Sequence, residues 1–120
     1  MNKRVICFIP PVLGVDGEFN TFRIGSFYAK NLVPGEEVLL MNEKEKLVFG
    51  TAVVEWIDEG SLGEMCLIHG HKNHSQSVDP LGPNSAPERL FKKLQRIYGP
   101  HIATVNKKAT VVYLRRIYGS

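Results

Sequence analysis

Apolar and polar positions along the chain predict strands over most of its length and one long helix near its end. Val5 to Ile9 is an unbroken apolar run of strand length, stopped by Pro10 and Pro11, which cannot donate to a ladder. Gly14 to Asn20 predicts a loop around the turn pair Asp16-Gly17, and Thr21 to Ile24 a short extended segment. Ser26 is placed to cap one helical turn through Phe27, Tyr28 and Lys30. Val33-Pro34-Gly35-Glu36 then predicts a turn into a strand from Glu37 to Met41. Asn42 to Lys46 is polar and predicts a solvated hairpin loop. Leu47 to Ile57, rich in Val, is the longest predicted strand. Gly50 within it marks a bulge or bend, and Trp56 near its end is expected in the core.

From 60 to 84 the pattern is broken by Gly63, Gly70, Pro80, Gly82 and Pro83, which predicts a long loop. The helix follows. Ser85-x-x-Glu88 has the form of a capping box, Pro87 lies in the first turn, and Gly99-Pro100 supplies the stop. Leu90, Phe91, Leu94, Ile97 and Tyr98 recur at helical spacing, so the helix is expected over about 86–98. A closing strand is predicted from Ala109 to Tyr118. The likeness of residues 94–99 to residues 114–119 joins a helix to a strand and is not a structural repeat.

At 120 residues the chain has the length of one domain, expected to span 1–120 and to bury enough surface without disulfides or metal. Two cysteines make no secreted framework. No run reaches the roughly 20 apolar residues of a membrane span, and Val5 to Pro10 is too short for a signal-peptide core, so the expected location is cytoplasmic. Charge is divided unevenly. Residues 1–60 carry 6 Lys or Arg against 9 Asp or Glu, whereas residues 61–120 carry 9 against 3. A basic half suits an anionic partner, nucleic acid being the commonest.

Thr21-Phe22-Arg23, the run Leu32 to Leu40 with its Pro34-Gly35-Glu36 turn, and Phe49 to Val54 together resemble the ASCH family of the PUA-like superfamily. Members run from a T-x-R or E-x-R segment to a P-G-D/E turn and two barrel strands, with a later helix and closing strand. The resemblance covers about three-quarters of the chain and implies an α+β fold, a small mixed β-barrel of five or six strands with one amphipathic helix and short helical turns. It also implies a cleft for RNA, a nucleotide or a modified base. Some members hydrolyse acylated cytidine, and others are linked to RNA cleavage. Against the family motif G-x-K-x-x-E/T-x-R, Thr21 and Arg23 match the last two positions, Glu18 stands at the lysine and Asp16 at the glycine.

The candidate chemistry follows from residue types. A threonine hydroxyl can act as a nucleophile when a base activates it, which makes Thr21 and Glu18 the catalytic candidates. Arginine offers a planar fork for phosphate or a base edge, so Arg23 is a binding candidate, with Lys30 nearby. Arg89, Lys92, Lys93 and Arg96 form a positive stripe on the helix that can line phosphates. Cys66, His69, His71 and His74 carry groups suited to zinc. Their spacing fits no finger arrangement, and an extended backbone would turn Cys66 and His69 to opposite faces. An ordinary loop without metal is therefore expected, and no cofactor. The reading is an RNA- or nucleotide-binding domain. A hydrolase of modified nucleosides or a ribonuclease is the alternative, and a protein-interaction module a third.

Overall fold

The computed structural model describes residues 3–10, 12–75 and 86–118. The first apolar run becomes β1 (Arg4–Phe8), which lies parallel to β3 (Glu37–Asn42) and pairs Ile6 with Leu40. The expected loop before Thr21 is shorter than the sequence suggests. Strand β2 starts at Glu18 and runs to Ile24, because it zips antiparallel onto the last strand, β5 (Lys108–Ile117). Between β3 and β5 lies β4 (Leu47–Ser61), antiparallel to both. The sheet order is therefore β1-β3-β4-β5-β2.

The expected barrel does not close. Strands β1 and β2 are the two edges and are not hydrogen-bonded to each other, so the sheet keeps an open seam. Short helix α1 (Phe27–Asn31) follows β2, and Ser26 precedes it without making the expected side-chain cap.

Strand alternation splits the core in two. On one side Ile6, Phe8, Phe19, Leu40, Val54 and Leu114 pack together. On the other, Phe22, Ala109 and Val111 pack against helices. Gly50 sits at a bulge, where the pairing slips between Leu40/Gly50 and Met41/Val48. A Cβ there would lie 2.5 Å from the Arg116 guanidinium, which would have to shift.

The long loop expected over 60–84 is in its first part helical. Helix α2 (Leu62–His69) starts at Ser61, whose Oγ accepts from the Glu64 backbone N–H at 3.4 Å and donates to the Glu64 carboxylate at 3.2 Å. A 3₁₀ turn, Gly70–Lys72, continues it. Helix α3 (Ala86–Tyr98) appears where the periodicity predicts it, although Ser85 and the rest of 76–85 lie outside the described residues. Gly99, at φ +92°, ends it, donating its N–H to Gln95 O at 2.8 Å. Leu90 and Leu94 of α3 join Leu62, Met65 and Cys66 of α2 in the second core.

Candidate nucleotide-binding cavity at the sheet seam

The two sheet edges frame a cavity of about 300 Å³. Cys7, Phe8 and Ile9 line it from β1 and its exit. Thr21, Phe22 and Arg23 line it from β2, and Leu90, Lys93, Leu94 and Tyr98 from α3. Segment 73–75 borders it through Asn73, His74 and Ser75. That segment is held by β2 itself: the His74 backbone N–H donates to Asn20 O at 3.1 Å.

Arg23 dominates the electrostatics. Its guanidinium lies 5.1 Å from the ring centre of Phe8 and 5.7 Å from that of Tyr28, held by cation–π attraction. Its Nε is buried and has no hydrogen-bond partner among the described residues. Among the described residues no carboxylate pairs with it. Burial pulls its pKa down, opposed by Tyr28, Tyr98, Cys7 and Glu43, yet a guanidinium keeps its proton in a protein. Lys93 is half-buried, and its pKa is lowered by burial and by neighbouring Arg96. Neither of these two pairs with a carboxylate among the described residues. Glu43 lines the cavity too, although the pattern placed it on a solvated hairpin tip; its backbone N–H donates to Phe8 O at 3.0 Å, drawing the β3–β4 turn over the end of β1.

His74 packs edge-on against Phe8, with ring centres 5.0 Å apart, and against Phe19 at 6.1 Å. Burial pushes its pKa down to about 4, helped by Lys93 and Arg23 and opposed by a bond to Leu13 O. The ring is thus neutral at pH 7. Nδ1–H donates to Leu13 O at 3.0 Å, which makes Nε2 the basic nitrogen.

The sequence candidates separate. Thr21 and Arg23 share one side of β2 and the cavity, with Thr21 only 2% exposed. Glu18 does not join them. It lies three positions before Thr21 in the same strand, hence on the opposite side, in register with Arg115. Lys30 is exposed on α1 and lines no part of the cavity. The positive stripe divides: Lys93 and Arg96 line the cavity, whereas Lys92 lines a separate groove between α2 and α3 beside Glu88. Arg89 is half-buried and faces neither.

Among the described residues no group of three or more His, Cys, Asp and Glu is placed to hold a metal ion. Because 62–69 is a helix, Cys66 and His69 fall on one side and are both buried. The Cys66 thiol is pushed up to about 12 by burial, so it is neither a ready ligand nor a nucleophile. His71 is exposed. His69 serves a different end. Its Nε2 lies 2.7 Å from Asp58 Oδ2 and its Nδ1 2.7 Å from Tyr113 Oη. A carboxylate can only accept, so Nε2 carries the proton and, in the neutral ring, Nδ1 accepts from the tyrosine. Burial, with Asp58, raises the Tyr113 pKa against the opposing bond to Asn20, which keeps that hydroxyl a donor. Trp56, expected in the core, is 45% exposed, stacked on Tyr113 at 4.6 Å and edge-on to His69 at 5.4 Å. Asn20 Nδ2 donates to His69 O at 2.9 Å, tying α2 to the strand that carries Thr21 and Arg23.

Comparison with solved structures fits this architecture. Protein PH0355, described as hypothetical, superposes with a TM-score of 0.67 at 14% identity, over 97% of this chain and all of its own. A mutant of ZmASCH from Zymomonas mobilis superposes with a TM-score of 0.55 at 17% identity, over 92% of this chain and 67% of its own. The chain has an ASCH-like fold. Protein EF3133 from Enterococcus faecalis V583, of family DUF984, reaches 0.50 at 9% identity over 88% of this chain and 64% of its own. The sequence matches no family model and no curated protein. The expected α+β architecture thus holds at the level of fold, with an open sheet in place of a closed barrel. Among the described residues no helix is long and apolar enough to cross a membrane.

Proposed function

We propose that the seam cavity of this ASCH-like domain binds RNA or a nucleotide, with Arg23 as its central anchor and Lys93 and Arg96 beside it. The observation that carries this reading is Arg23 itself. A buried guanidinium nitrogen without a hydrogen-bond partner among the described residues, in a cavity whose lining carboxylate Glu43 makes no ion pair with it, leaves the desolvation of a charge only partly offset until an anion arrives. The volume lies at the small end of ligand sites, and the aromatic rings of Phe8 and Tyr98 suit a base or sugar. Arg23→Gln is expected to weaken binding of a short single-stranded RNA by about ten- to hundredfold, the range of a charge-assisted hydrogen bond. Lys30→Gln, outside the cavity, is expected to bind as the parent does. Fluorescence titration of both variants decides it; unchanged affinity in Arg23→Gln would take the cavity out of the account.

A hydrolase remains the second reading, because Thr21 shares its cavity with His74 and Glu43, two groups able to take a proton. Against it stand the near-complete burial of Thr21 and the position of Glu18 on the other side of the strand. Turnover of acylated cytidine is therefore expected to be weak or absent. Robust turnover by the parent protein that vanishes in Thr21→Ala would reverse the order of the two readings.

A further inference from the structure

Among the described residues three cations and one carboxylate line the cavity. Arg23, Lys93 and Arg96 line it against Glu43 alone, and among the described residues none of the three cations is paired with a carboxylate. The excess among them is two positive charges, gathered around one cavity. Beyond the cavity the positive track breaks, since Lys92 turns into the groove on the other side of α3, beside Glu88. A phosphodiester inside a strand brings one negative charge and two terminal oxygens, and its neighbours need further cations along the path. A phosphate monoester brings close to two charges at pH 7 and three strong acceptor oxygens, enough for a guanidinium fork and two further donors.

The geometry points to a phosphate monoester as the ligand group of this cavity, presented by a nucleoside monophosphate or by the phosphorylated end of an RNA strand. This rests on the cavity being a nucleotide site and narrows it from any stretch of RNA to a terminus. Apolar side chains of Phe8, Phe22, Leu90 and Leu94 stand behind the cavity lining and Tyr98 offers a ring beside it, which suits one sugar or base.

The test is calorimetric titration of the whole chain with a set of probes. These are a nucleoside, its 5′-monophosphate, and one octaribonucleotide bearing 5′-hydroxyl, 5′-phosphate or 3′-phosphate. Each is titrated against the parent, Arg23→Gln and Lys93→Gln. Lys93 is only half-buried and its replacement is expected to leave the fold intact, so the result does not hang on Arg23 alone. The expected result is a preference of about tenfold or more for the phosphorylated member of a pair, as one charge-assisted contact gives, which shrinks in both variants. Preference for the monophosphate alone identifies a free nucleotide, and preference among the octamers identifies a strand end; either supports the inference. Equal affinity for phosphorylated and hydroxyl octamers, still lost in Arg23→Gln, would overturn it while leaving the nucleotide site standing. No binding of any probe would overturn both.

Discussion

His69→Ala is expected to destabilise the domain by about 3 kcal/mol, the combined cost of a buried cavity and two lost hydrogen bonds. The residue is 3% exposed, and its side chain fills the space between α2, β4 and β5. Without it the Tyr113 hydroxyl loses its acceptor, and Trp56 loses the ring that it meets edge-on. Asp58 suffers least, since its side chain is 36% exposed and water can replace the imidazole. That unequal loss gives the experiment its control. His69→Leu combined with Tyr113→Phe removes both ends of the inner bond and is expected to recover part of the stability, because an absent polar pair costs less than half of one. Urea unfolding with an unchanged slope measures the difference. A loss below about 1 kcal/mol in His69→Ala would mean that the ring is a bystander, since buried network residues cost more than that.

Acid sensitivity should come from His74. An unfolded chain protonates this imidazole near 6.5, whereas the folded protein resists until about 4. Across that window the unfolded state binds more protons, so stability is full above pH 6.5, falls as the pH drops, and levels off below 4. The total is about 2–3 kcal/mol, allowing for partial exposure of the ring. The physical origin is the same cavity: an imidazolium there would face Arg23 and Lys93 in a site with little water. His74→Phe keeps the edge contacts with Phe8 and Phe19 but cannot titrate. Its unfolding midpoint is expected to be flatter between pH 6.5 and 4 than that of the parent. Parallel pH profiles in the two proteins would refute the assignment.

Where sequence and structure agree, a period decides. The 3.6-residue recurrence of Leu90, Leu94 and Tyr98 placed α3, and the alternation through Thr21 and Arg23 put both on one side of β2. Where they part, a local event overrides the period. Trp56, expected in the core, lies two positions after Val54, and unbroken alternation would put both on one side. A bulge at Glu55 shifts the pairing from Val54/Leu114 to Trp56/Tyr113 and turns the indole to the other side of the sheet. Helix α2 was hidden differently. Leu67 and Ile68, 73% and 53% exposed, fill in the polar face that would have shown its buried row of Leu62, Met65, Cys66 and His69. Its start was legible all the same, in Ser61-x-x-Glu64. The closeness of His74 and Glu43 to Arg23 was not, because it depends on long-range pairing: Asn20 with His74, and Phe8 with Glu43.

The strand order also sets when the cavity can exist. Strand β2 reaches the rest of the sheet through β5, its one strand partner among the described residues, and their ladder joins Glu18 to Arg115 and Ile24 to Ala109. The residues that frame the cavity therefore meet only after contacts spanning most of the chain have formed. Such topology belongs to the slow side of two-state folding, where loop closure must precede any reward from burial. While β5 is still undocked, β2 and β4 each present an unsatisfied edge to whatever else is present. The last strand in the chain is thus both the keel of the site and the guard against aggregation during its assembly.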